Sequence, residues 1–196
     1  MEMLAAIGRT MGFSFAAGIN LYATVAILGL AARYQWVDLP PQYQVFNNDI
    51  IIIAALVLYA IEFLADKVPW IDTIWDAVHS VIRPLGGALI AVGTLGEATP
   101  TLQGVTALAG GLVAASTHFT KAGTRVAANT SPEPFTNWLL SLAEDLFVVG
   151  LAFVALKWPV AALVVTATLL VGIVLSAAAI WRLVRRGWAT QRTGTA

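Results

Sequence analysis

Glu62 and Asp66 stand one helical turn apart, and Asp72, Asp76, His79 and Arg83 follow at the spacing i, i+4, i+7, i+11. At 3.6 residues per turn each set falls on a single helix face. Carboxylates and an imidazole gathered this way can bind a cation or relay protons. With oxygen and imidazole donors they can also ligate a divalent metal. Pro69 separates the two sets, because proline interrupts a helix that runs into it. A second constellation lies in "STHFTKAGTRVAANTSPEP", where His118, Arg125 and Asn129 share a face and Lys121 lies about 60° from it. A third is the adjacent pair Glu144 and Asp145 in the middle of "LLSLAEDLFVVG". Neighbours on a helix point about 100° apart, so these two must meet different partners. Asn20 and Tyr22 in "GFSFAAGINLYAT" are polar positions in an apolar run and could line a path.

Each feature also has a structural reading. The 72–83 stripe, with Ile74, Ala77, Val78, Val81 and Ile82 opposite, suits a short amphipathic helix lying flat in the membrane interface. It equally suits a re-entrant helix whose polar face borders water. Glu62 and Asp66 can be a structural ion pair with Lys67 or with a base of the later segment. Glu144 and Asp145 can pair with Lys121 or Arg125. Acids dominate the first half and bases the "STHFTKAGTR" segment, so packing the two together would neutralise a buried network. In "SPEP", Thr130 or Ser131 could cap the next helix and Glu133 is a further candidate, although such a loop is more often a corner.

The elements that carry these groups are set by composition. Of 196 residues, 59% are hydrophobic and only 22 are charged, and mean hydropathy is +0.80. So few charges cannot cover a soluble surface. Several apolar runs approach the roughly 20 residues that cross a bilayer core. Segments of about ten residues with alternating polarity, the mark of a β-barrel, are missing. An all-α integral membrane protein follows, as a single domain over 1–196. Zero net charge gives no signature of a nucleic-acid partner, and the absence of cysteine excludes disulfides and thiolate metal sites.

Six spans are expected. The first runs from Thr10 to Ala32, the second from Ile50 to Asp66, and the third from Pro84 to Gly96. The fourth covers Leu102 to Arg125, the fifth Phe135 to Leu156, and the sixth Pro159 to Val184. The short helix Trp70 to Arg83 lies between the second and third. An N-terminus with Glu2, and no base before Arg9, is a poor signal peptide, so the first segment is read as a retained span. With both termini cytoplasmic, nine of the eleven Lys and Arg fall inside and only Arg33 and Lys157 outside. Three spans on each side of about residue 98 predict a 3+3 inverted repeat of halves 1–98 and 99–196. "AAGIN" laid on "AASTH" pairs Asn20 with His118 in that scheme. A rival pairing of "PWID" with "PFTN" would make the repeat parallel.

The pieces "GINLYAT", "EFLADKVPWIDTIWDAVHSVIRPLGGAL" and "STHFTKAGTRVAANTSPEPFTNW" resemble a family of small bacterial integral membrane proteins, filed as a domain of unknown function (number four-one-two-six). The resemblance implies a multi-spanning protein of the bacterial inner membrane and carries over no residue roles. The leading expectation is a small transporter or channel for an ion or small polar solute. Its path would use Asn20, Glu62, Asp66, Asp72, Asp76, His79, His118, Lys121, Arg125, Glu144 and Asp145. The alternatives are an assembly or scaffold protein without turnover, and a membrane-embedded metal enzyme using the acids and histidines. No HExxH, GxSxG or nucleotide loop is present, and the sequence names no cofactor. The bilayer is the expected partner, together with a solute the residues do not name and, through glycine-rich faces at Gly86, Gly87, Gly110 and Gly111, a second copy of the chain.

Overall fold

Among the described residues proline opens four of the seven α-helices, at the first-turn position where its missing N–H costs nothing. These are α4 (Pro69–Leu95), α5 (Pro100–Asn129), α6 (Pro134–Lys157) and α7 (Pro159–Thr193). They follow α1 (Glu2–Ile19), α2 (Leu21–Tyr34), a 3-10 turn (Pro41–Phe46) and α3 (Asp49–Ala65). This is a computed structural model, and it describes residues 1–129 and 134–193; Thr130, Ser131 and Glu133, and the side chain of Asn129, lie outside the described residues. Every regular element among the described residues is helical. The Asn48 side chain caps α3 by accepting from the backbone N–H groups of Ile50 and Ile51. Gly96, at φ +81°, ends α4 in a conformation that other residues rarely adopt. Among the described residues three helices are long and apolar enough to cross a membrane: Pro69–Leu95, Phe135–Lys157 and Pro159–Leu183.

Two expected elements are corrected. The run from Thr10 to Ala32 is not one helix, because the chain breaks at Asn20, whose backbone is extended (φ −144°, ψ 100°). The Asn20 side chain accepts from Ala23 N at 2.9 Å and so starts α2 afresh. The second correction is that the short helix after Pro69 and the segment from Pro84 are a single helix of 27 residues, with Pro84 in its interior. The expected short helix is therefore not a separate element, and the joined helix is long and apolar enough to cross a membrane. An internal proline costs roughly 3 kcal/mol. Packing on both sides of Pro84 holds the helix through it: Arg83 is anchored in the core, and Gly87 O accepts from Ser14 Oγ at 3.2 Å.

Contacts fix the course of the chain. Thr10 and Thr94 share a hydrogen bond of 3.1 Å, and Ser14 reaches Gly87 two turns back along α4, so α1 runs against α4. Phe13 packs edge-on to Tyr43, and Gln42 donates to Thr94 O, which puts the 3-10 turn beside the start of α1. Yet Arg33, at the far end of α2, pairs with Asp49 and donates to Asn47 just beyond that same turn. Both outer ends of α1 and α2 thus meet at one end of the bundle, and Asn20 is the inward tip of a helical hairpin. The next helices alternate in direction, with α6 ending beside the start of α1, where Gly8 abuts Pro159. From there α7 runs about 50 Å to the opposite end, at about 1.5 Å per residue. The start of α1 and the described end of α7 therefore lie at opposite ends of the bundle. Asn20 sits at a break while His118 lies inside continuous α5, so the inverted pairing of the two finds no structural counterpart. Pro69 and Pro134 open helices that run in the same direction.

The bundle reverses the polarity of a soluble protein. Large apolar residues such as Ile53, Val57 and Leu64 on α3, or Val171, Val174 and Leu175 on α7, face outward. Charged residues turn inward. Two apolar clusters frame them, one joining Phe13, Leu28, Tyr43 and Ala155, the other joining Phe15, Ile19, Val148 and Leu151.

Candidate functional site

The 72–83 stripe points into the bundle, and Asp72, Asp76, His79 and Arg83 are all buried. Helix α4 can face this way because α5 lies close along it: Gly87 and Gly110 leave no room for a Cβ between the two backbones. Arg83 is the hub on α4. It binds Glu62 Oε1 at 2.8 Å and Asp76 Oδ1 at 3.2 Å, and its Nη1 donates to His118 Nδ1 at 2.8 Å. A guanidinium has no acceptor, so the His118 nitrogen it meets carries the lone pair. Ser80 spends its hydroxyl proton on Asp76 O, so His118 Nε2–H donates to Ser80 Oγ at 3.1 Å. His118 is therefore neutral in this arrangement. His79 sits apart from the charges. Its Nδ1 contacts Trp75 O at 2.7 Å, its Nε2 faces the Tyr22 hydroxyl at 2.9 Å, and its ring stacks on Trp75.

Lys121 and Arg125 on α5 carry the chain of charges onward. The Lys121 ammonium lies 3.7 Å from Glu62, 3.4 Å from Asp66 and 3.5 Å from Glu144, and donates to the last carbonyl of α1, Ile19 O, at 3.2 Å. Four oxygens surround it and none is close. Arg125 is gripped more firmly, at 2.7 Å from Glu144 Oε2, 3.1 Å from Asp66 Oδ2 and 2.7 Å from Asn137 Oδ1. Asn137 also donates to Asp66 O at 3.0 Å, tying the end of α3 to the start of α6. The pairs link Asp76, Arg83, Glu62, Lys121, Asp66, Arg125 and Glu144 through four helices. Asp145 turns elsewhere and accepts from Asn20 Nδ2 at 3.1 Å.

Ten of the eleven residues singled out from sequence are buried, and Glu144 is partly exposed. Seven of them join the linked charges or His118's bond to them, Asn20 and Asp145 form a separate pair, and His79 faces Tyr22. Asp72 lies on the wall of a cleft of about 220 Å³ between α4 and α5, with Asp76, Ser80 and Arg125. A second pocket of about 340 Å³ reaches Lys121 and Glu144 from the side of α1, α6 and α7. Among the described residues Lys67 does not pair with an acid. It donates to Phe63 O and to Ser141 Oγ, and partial burial draws its ammonium below the ordinary value. Sequence reasoning did not place Arg83, Asn137 or Ser80 among the site residues. Arg83 was signalled by standing one turn beyond His79 on the same stripe. Asn137, the fourth residue of a proline-led helix, gave no comparable signal. The donors suggested for a divalent metal do not converge: among the described residues no three His, Asp or Glu side chains are placed to hold one ion.

A family model described as a domain of unknown function, DUF4126, matches residues 7–179. No curated protein and no solved structure matches the chain.

Proposed function

We propose, for a chain that belongs to the DUF4126 family of domains of unknown function, that it moves an ion or small polar solute across the membrane through the charged interior of its bundle. In this reading α3 to α7 cross the bilayer and the α1–α2 hairpin enters from one side with its tip among the charges. One observation carries the proposal: a linked series of four carboxylates and three cations lies inside apolar helices and reaches a cleft between α4 and α5 beside Asp76. Burying charges is costly, and apolar replacements of a buried ion network are often neutral or stabilising. A scaffold therefore has little to gain from seven charged groups at the centre of its fold. A path that must receive a hydrophilic traveller needs them.

The roles follow from the contacts. Asp76 meets the entering solute at the cleft, Arg83 and Arg125 hold the carboxylates in place, and Lys121, the loosely held cation, is the group free to yield. The test is flux of protons and alkali cations into proteoliposomes bearing the purified protein. Asp76→Asn and Glu144→Gln are expected to abolish flux while the protein still inserts and folds. Equal flux in wild type and both variants overturns the reading. Loss of folding alone, with no flux in the wild type, favours the scaffold.

A further inference from the structure

Glu62, Asp66, Asp76 and Glu144 each lie against a cation, but among the described residues Asp145 has no cation partner. Its Oδ1 accepts from an amide, Asn20 Nδ2, and its Oδ2 is buried with no partner among the described residues. The orientation of that amide is not free. Asn20 Oδ1 is already committed to Ala23 N at the cap of α2, so only the NH2 group can face Asp145. The cations around it are engaged: Lys121 by Ile19 O and three other acids, and Lys67 by Phe63 O at 2.8 Å and the Phe63 ring, with Ser141 Oγ further off. A carboxylate in this position would be a buried charge with one weak donor and a bare oxygen, the costliest form the site can take. A carboxylic acid places a proton where the structure leaves Oδ2 bare.

We propose that Asp145 is a proton-binding site, set where the hairpin tip meets α6, and that the proton is the ion exchanged in the function proposed above, on which the exchange step rests. When the proton leaves Oδ2 for water, the O–H bond breaks and its electron pair stays on the carboxylate. The charged and titratable groups around it are then Tyr59 on α3, Asp66 at its C-terminal end, Lys67 in the α3–α4 turn and Lys121 on α5, while the α1–α2 junction presents Asn20. Lys121 is the cation best able to answer. It is held at 3.2 Å or more by every one of its four oxygens, so it can shift toward Asp145 and release Ile19 O at the end of α1. Proton release and the grip on the hairpin tip are thereby linked.

Infrared difference spectroscopy of the purified protein tests this without any measurement of flux. A protonated-carboxyl C=O band is expected at neutral pH, absent in Asp145→Asn and retained in Glu144→Gln. In Lys121→Met the band should persist to higher pH, because the cation that replaces the proton is gone. No band at neutral pH, a band that survives Asp145→Asn, or an unchanged titration in Lys121→Met overturns the proposal. Asn is isosteric with the neutral acid, so Asp145→Asn is expected to unfold at or above the wild-type temperature. A drop as large as that of Glu144→Gln, or failure to fold, counts against it. The band without flux in proteoliposomes removes the transport reading and leaves the proton site standing; flux without the band removes the proton site alone.

Discussion

Arg83 satisfies two buried carboxylates and fixes the tautomer of His118, so its loss leaves more uncompensated than its own charge. Removing one partner of a buried ion pair typically costs about 3–5 kcal/mol, and Arg83→Met is expected to fall in that range by thermal unfolding in detergent. The paired change Glu62→Gln/Arg83→Met should recover part of it, since Glu62 no longer carries a stranded charge. A double variant no more stable than Arg83→Met would show that Glu62 and Arg83 are not coupled. The spacing of Asp72, Asp76, His79 and Arg83 was readable because a helix imposes its period on any face. Which way that face turned was not. A stripe washed by water and a stripe pressed against α5 have the same period, and only the small residues Gly87 and Gly110 distinguish them, once the helices are seen side by side.

Helix ends decide the architecture here more than helix lengths do. A hydropathy window over residues 10–32 averages across Asn20 and cannot see a chain that reverses at a single residue. Pro84 misleads in the opposite direction, since the cost of a proline is local while α4 is held by contacts on both sides of it. Asn20 performs two tasks, capping α2 and donating to Asp145, and substitution can separate them. Asn20→Ala loses both, and the cap alone is worth about 1 kcal/mol. Asn20→Asp keeps the cap but sets a second carboxyl against Asp145 at the hairpin tip. Its unfolding temperature is expected to match wild type in acid, where both carboxyls are protonated, and to fall below wild type as pH rises and one of them ionises. A pH-independent difference between Asn20→Asp and wild type would mean that the tip does not face Asp145.

At the scale of the molecule the hairpin changes the topology. A span crossing from Thr10 to Ala32 would return both termini to one side, whereas a hairpin turning at Asn20 separates them. The arginines sort accordingly. Arg9, Arg33 and Lys157 lie at the end where the chain begins, while Lys67 and the four arginines late in α7 lie at the other. Arg83, Lys121 and Arg125 are buried and say nothing about orientation. Cytoplasmic loops and tails carry the excess of Lys and Arg, so five basic residues against three predict a cytoplasmic C-terminus and an N-terminus outside. The chain contains no cysteine, so single introduced thiols report without ambiguity. Glu2→Cys should react with a membrane-impermeant reagent on intact cells, and Arg185→Cys only after the membrane is permeabilised. If both react alike before permeabilisation, or both stay silent, α1 and α2 cross the membrane as one span and the reversal at Asn20 is wrong. The opposite labelling, Arg185→Cys outside and Glu2→Cys inside, keeps the hairpin and inverts the whole bundle, which would turn the Asp76 cleft toward the far face.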